Sequence, residues 1–181
     1  MIFAEAIFCN PGSLKIIGSV SFSQYNENFV RVDIDLINVP LGIHGIHVHK
    51  KQINFSKETD YCQQAGEHFN GSFILWSPDK PNGTPHGSYA YNTDRHIGDL
   101  CNNIVSINGT VKISFIDNLI SLIPKHPHCI LDKSVIIHDE EDDNGLYIPI
   151  NSNENEIKRL IESRITGNAG KRIACANIML T

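Results

Sequence analysis

The sequence predicts an all-β fold, an antiparallel sandwich or barrel interrupted by two long loops. Three observations carry this expectation. About eight short runs alternate apolar and polar residues at the period of a strand. Turn residues punctuate them, and two polar stretches break the rhythm. The clearest run is NFVRVDIDLIN (28–38), where Val30, Val32, Ile34 and Leu36 face one way and Arg31, Asp33 and Asp35 the other.

The elements follow in order. MIFAEAIF opens the chain as a first strand, and Asn10-Pro11-Gly12 is a strong turn signal after it. LKIIGSVSFS (14–23) places Ile16, Val20 and Phe22 on one face. After the 28–38 run comes GIHGIHVHK (42–50), a strand that carries His44, His47 and His49. NIVSI (103–107) and TVKISFID (110–117) flank Asn108-Gly109, the dipeptide of a type I′ hairpin. DKSVIIH (132–138) and RIACANIML (172–180) complete the set.

Residues 50–99 and 139–171 are the two exceptions. Loops this long inside a compact domain carry function or need an internal staple. The second contains one helix candidate, ENEIKRLIESRI, with Ile157, Leu160, Ile161 and Ile165 at helical spacing. Asn153 and Glu156 are placed to form a capping box ahead of it. No repeat, linker or low-complexity segment divides the chain, so residues 1–181 are expected to be a single domain.

Bulk composition narrows the function classes. Hydrophobic residues make up 41% and charged residues 19%, as in a water-soluble globular protein. The net charge of −5 argues against nucleic-acid binding, which needs a basic face. No apolar run approaches a membrane span. The N-terminus lacks the basic and long apolar regions of a signal peptide, so a cytoplasmic location is expected.

The histidines suggest a metal site. On a strand, His47 and His49 project from one face, and two adjacent imidazoles can chelate one ion. His44 has the opposite parity and reads as a hydrogen-bonded structural histidine. His68, His86, His96 and His138 lie in the long loops or at their edges, and Asp99 follows His96 by three residues. Histidine with carboxylate suits zinc, and several histidines suit copper. The residues alone support a metal-binding β protein.

The motif order goes further. GIHGIHVHK, CQQAGEHFN, RHIGDL, VIIHDEEDDNG and TGNAGKRIACA closely resemble, in sequence order, the copper–zinc superoxide dismutase family, over essentially the whole chain. The resemblance implies an eight-stranded Greek-key β-barrel or immunoglobulin-like sandwich with two long functional loops, and a homodimer. It implies copper on His47, His49, His68 and His138, and zinc on His68, His86, His96 and Asp99, with His68 bridging. Asp142 matches the carboxylate that links a copper ligand to a zinc ligand, here His47 and His86, and His44 stands behind the ligands. Arg172 matches the arginine that guides the superoxide anion, Thr166 the residue flanking the channel, and Cys62 with Cys175 the disulfide.

The departures are two lengthened loops. The segment carrying GSFILWSPDKPN and Trp76 reads as a tolerated insertion. Lys158, Arg159, Arg164 and Lys171 read as a solvated face rather than substrate guides. His126 and His128 have no ligand counterpart, Cys129 is expected to be an exposed thiol, and Cys9 and Cys101 buried or incidental ones. A non-enzymatic metal-binding decoy or copper buffer on this fold is the alternative. Loss of a copper ligand or of the arginine would favour it, and none is lost. The docking domain of a copper chaperone is a third class, but no metal-loading domain or Cys-x-Cys tail accompanies the motifs. A copper chaperone as partner is admitted but not required.

Overall fold

A computed structural model of the chain describes residues 1–9, 15–56, 60–89 and 94–181. The Asn10-Pro11-Gly12 turn lies outside the described residues. The eight expected strands are present: β1 (Ile2–Phe8), β2 (Ile17–Gln24), β3 (Val30–Ile37), β4 (Gly42–His49), β5 (Asp99–Ser106), β6 (Thr110–Asp117), β7 (Ser134–His138) and β8 (Arg172–Leu180). They form one sheet in the order β5-β4-β7-β8-β1-β2-β3-β6, with every ladder antiparallel. The β3–β4 and β6–β7 connections cross between the two halves, which makes the barrel a Greek key.

Alternation decides which residues line the barrel. Val30, Val32, Ile34 and Leu36 are buried together with Val20, Phe22, Ile46, Val48, Val135 and Ile137. The opposite face of β4, β7 and β8 is not left to water. A smaller apolar cluster of Ile53, Cys62, Ala65, Ile136 and Cys175 sits there under the first long loop. That covered outer face also carries His47, His49 and His138, all buried.

Two details differ from the sequence expectation. The Asn108-Gly109 turn is not a type I′ hairpin. Gly109 has a positive φ of 86°, but Asn108 is not in the left-handed region, and type I′ needs both. The Asn108 side chain instead accepts from Thr110 N at 3.3 Å and Thr110 Oγ1 at 2.6 Å. β5 pairs with β4 and β6 with β3, so the two strands meet at the barrel seam without a shared ladder.

Helix α1 (Glu154–Thr166) forms as expected, but only half of its capping box does. Asn153 Oδ1 accepts from Glu156 N at 3.0 Å. The Glu156 carboxylate does not reach back. It accepts from Tyr147 Oη at 2.6 Å and Ile150 N at 2.9 Å. The apolar stripe is only partly covered: Ile157 is exposed, Leu160, Ile161 and Ile165 are half-buried, and Ser163 is the fully buried position. Ser163 Oγ donates to Asp143 at 2.8 Å and accepts from Tyr147 N at 3.2 Å.

Candidate metal centre

The site is built where the ladders are irregular. The β4–β5 register shifts between Ile46 and His47, and the β7–β8 register shifts between Ile137 and His138. Bulges re-aim side chains, and both of these occur at histidines of the outer face. A bridge between His49 and His68 brings in the first long loop, and the turn into β5 brings in His96 and, as the first residue of the strand, Asp99.

Two buried groups result. His47, His49, His68 and His138 present ligand atoms within 4.8 Å of one another, and so do His68, His86, His96 and Asp99. His68 belongs to both. His47, His86 and Asp142 form a third convergence behind them.

Hydrogen bonding sorts the ring nitrogens into two kinds. Each outward nitrogen has an acceptor: His49 Nδ1 with Gly66 O at 2.9 Å, His138 Nδ1 with Gly170 O at 3.2 Å, and His96 Nε2 with Thr84 O at 3.2 Å. Asp142 takes two, His47 Nε2 at 2.6 Å and His86 Nε2 at 3.0 Å. Each inward nitrogen has none: His47 Nδ1, His49 Nε2, His68 Nε2, His86 Nδ1, His96 Nδ1 and His138 Nε2 are buried without a hydrogen bond. An unmet buried polar atom costs about 1–3 kcal/mol. In a neutral ring with the outer nitrogen protonated toward an acceptor, the inner one is a bare lone pair, the form a metal ion takes, whereas a ring that holds two protons must first give one up.

Asp99 completes the second group. Its Oδ1 lies 2.8 Å from His68 Nδ1. Its Oδ2 lies 3.0 Å from His86 Nδ1 and 3.3 Å from His96 Nδ1, without hydrogen-bond geometry to either. The donor sets therefore fit metal ions: four imidazoles in one cage, three imidazoles and a carboxylate in the other.

Protonation differs between the cages. Burial, reinforced by its histidine neighbours, pushes His138 down to about 3 and His49 and His68 well below the usual imidazole value. Burial also opposes charge on His86, but Asp99 and Asp142 outweigh it and hold that ring at about 10. Asp99 lies well below the usual carboxylate range, because His86 and His96 overcome its burial.

The supporting residues fall as follows. His44 contacts His138 O at 3.0 Å and Pro40 O at 2.9 Å through its two nitrogens, a hydrogen-bonded structural role as expected. Arg172 pairs with His138 across β7–β8 and donates to Cys62 O at 2.9 Å and Gly66 O at 2.6 Å. Gly66 O thus serves both Arg172 and His49. Cys62 and Cys175 are joined, with Cα atoms 5.5 Å apart, and this bond pins the segment that supplies those carbonyls. Thr166 gives its hydroxyl to Glu162, at 3.2 Å from the backbone oxygen and 2.9 Å from the carboxylate.

Three residues escaped the sequence reading. Asn103 clamps Asp142, accepting from its N and donating to its O, both at 2.8 Å. Asn102, at φ 59°, donates to Gly87 O at 2.6 Å beside His86. Buried Arg95 donates to Asp99 O and pairs with Asp117 at 2.9 Å. The pair Asn102-Asn103 interrupting an apolar strand was the available signal. Among the thiols, Cys9 is exposed rather than buried and Cys129 is only half-exposed. Burial pushes the Cys101 thiol up to about 12.

The fold and the paired cages define a Greek-key barrel protein with a histidine shared between two metal-binding groups. The family described as copper/zinc superoxide dismutase matches residues 16–178. The chain is 32% identical to superoxide dismutase [Cu-Zn] A of Xenopus laevis, over 98% of this chain and 97% of that one. It is 31% identical to the putative superoxide dismutase [Cu-Zn] of Autographa californica nuclear polyhedrosis virus, over 90% and 91%. A crystal structure of the clock protein EA4 superposes with a TM-score of 0.73 at 30% identity, covering 99% of this chain and 94% of that one. The chain belongs to the copper/zinc superoxide dismutase family.

Proposed function

We propose that this chain is a superoxide dismutase, converting two superoxide ions and two protons into oxygen and hydrogen peroxide. The observation that carries the reading is the set of six buried, unpartnered imidazole nitrogens converging in two cages that share His68. Copper is assigned to His47, His49, His68 and His138, and zinc to His68, His86, His96 and Asp99. Bound copper supplies a one-electron couple, while zinc supplies charge and no redox chemistry.

The chain's own residues do the rest. Arg172 places a fixed positive charge beside the His49–His138 side, although the protein is net negative. Arginine keeps that charge at any working pH. Its two N–H bonds to Cys62 O and Gly66 O hold the guanidinium still, so it draws in a small anion without reorganising. His68 Nε2 is the atom of the chain that can hold a proton between the two half-reactions. Thr166 is assigned to the channel rim only through its motif. The homodimer is carried in the same way, and β8 ends in exposed Met179 and Leu180 beside exposed Ile7.

No helix among the described residues is long and apolar enough to cross a membrane. The Cys62–Cys175 bond is unusual for a reducing compartment, which sets it against the expected cytoplasmic location.

The test is metal content and turnover together. One copper and one zinc per chain with dismutation is the expected result, and zinc alone after copper reconstitution would defeat it. Arg172→Ala should retain both metals, lower turnover about tenfold or more and flatten its salt dependence, in line with the range for focused steering. Coincident rate-against-salt curves for wild type, Arg172→Ala and Arg172→Glu would remove the guiding role. The binding-only alternative is favoured by one observation, that a protein described as a clock protein shares this fold at 30% identity. It predicts full metal loading without turnover.

A further inference from the structure

The two lengthened loops touch each other, and both touch the three-histidine–aspartate cage. The insertion is held to the chain just ahead of His86: Trp76 N donates to Thr84 O, and Thr84 N to Ile74 O, each at 2.8 Å. Thr84 O is also the acceptor that orients His96 Nε2. From the other side, Arg164 in the last turn of α1 accepts His86 N–H on its carbonyl at 2.7 Å. The Arg164 guanidinium lies over the Trp76 ring, 5.2 Å from its centroid, which joins insertion to helix. A cleft of about 260 Å³ lies at this junction, with Trp76, Pro85, His86, Gly145 and Arg164 among its walls.

Glycines allow the close approach. Gly167, the αL cap of α1 at φ 71°, sits so near the Asp142 carboxylate that a Cβ would collide with it. Gly145, at φ 70°, stands in the same relation to His86 O. The helix therefore rests on both the backbone of His86 and the carboxylate behind its ring. A tolerated insertion would not need to bond the carbonyl that orients a ligand.

We propose that the Trp76 insertion and helix α1 form a clasp that holds His86 and His96 in place and sets how slowly metal leaves their cage. This inference rests on the reading of that cage as a zinc site. A chelated ion leaves when its ligands swing away one at a time, and ligands on loops do so through local opening. The clasp suppresses that opening for His86 and His96. The Trp76–Arg164 contact itself lies on the His86 side, whereas His47, His49 and His138 sit on strands β4 and β7 and the helix meets His47 only through Asp142. Trp76 and Arg164 are thus positioning residues for one cage only.

The experiment challenges the metal-loaded protein with a chromogenic chelator and follows zinc and copper release separately. Trp76→Ala and Arg164→Ala should each release zinc about two- to fivefold faster, the range for losing one exposed cation–π contact. The double variant should be no faster than the faster single one, because both lose the same contact. Copper release should stay at the wild-type rate. Trp76→Phe and Arg164→Lys keep a ring and a cation and should stay near wild type. Cobalt(II) in place of zinc gives a second readout, since its visible bands should shift in the alanine variants and not in the conservative ones. Unchanged zinc release in both alanine variants overturns the clasp, as does a parallel rise in zinc and copper release. A wild-type chain that takes up no zinc instead overturns the zinc reading, before any variant is compared.

Discussion

On one side of His68, four imidazoles converge with no carboxylate among them. On the other, three converge on Asp99. The outward nitrogens of the first group lean on Gly66 O, Gly170 O and Asp142, whereas the second has a negative charge in its centre. The consequence is visible in protonation, since burial and repulsion keep His138 and His49 neutral while Asp99 and Asp142 hold a proton on His86. A cage without a carboxylate favours the higher charge of a bound ion less than one that contains a carboxylate. A cage with its own carboxylate suits an ion of fixed charge. The same residue type serves two chemistries because of what stands behind each ring.

The comparison can be broken most strongly at the disulfide, which supports the four-histidine side through Cys62 O and Gly66 O. Its sequence separation of 113 makes it worth about 5 kcal/mol in the chain-entropy account. Cys62→Ser with Cys175→Ser should therefore lower Tm by about 10–20 °C for a chain of this size. Copper retention should suffer more than zinc retention, and equal losses in chelator competition would mean that the cages are not separately supported.

Asp142 joins the two sides. An asparagine replaces one of the two acceptor oxygens by an NH2, a donor set against the N–H groups that now point there. Asp142→Asn should cost about 10–100-fold in zinc affinity, the usual scale for a group that orients a metal ligand. Isothermal titration showing wild-type zinc affinity would exclude this role.

The smallest effect is on pH dependence and sharpens the contrast. His138, at about 3 in the fold, refuses a proton that the unfolded chain takes up below pH about 6.5. Metal-free stability should then fall as pH drops through that window. His86, at about 10, works in the opposite sense. Its contribution is complete below pH about 6.5 and is lost as pH rises through 10. Calorimetric Tm against pH should show both limbs, and His138→Gln should reduce the acid limb, which His49 and His68 share, and leave the alkaline one unchanged.

The sequence made all eight strands, helix α1 and all seven candidate ligand residues legible, because strand parity and motif order depend on side-chain identity. What it hid depends on backbone. Gly66 O, Gly170 O and Thr84 O orient three rings, and a carbonyl leaves no mark on residue type. The stack of Arg164 on Trp76 was hidden as well, because it joins two insertions distant along the chain. The Asn108-Gly109 reading failed for a related reason. Local turn chemistry proposes a hairpin, but β6 ladders with β3 and β5 with β4, and the edges that the turn would join stay unpaired.

That seam gives the molecule a weak point in its backbone pairing. A barrel closed by a continuous ladder has no free strand edges, whereas here the outer edges of β5 and β6 carry no ladder. Backbone and side-chain stitches run beside the gap, from Val39 N to Gly109 O at 3.1 Å and from Ser106 Oγ to Val39 O at 3.1 Å. Amides on those two edges should exchange with solvent before those of β2, which has a ladder on both sides, and equal protection would show the seam to be closed. If the stitches open, two rows of unsatisfied amides and carbonyls become templates for a neighbouring chain. The route from this barrel to a fibre would start at the seam, whose β5 edge lies one strand from histidine-bearing β4 and whose β6 edge lies at the far end of the sheet.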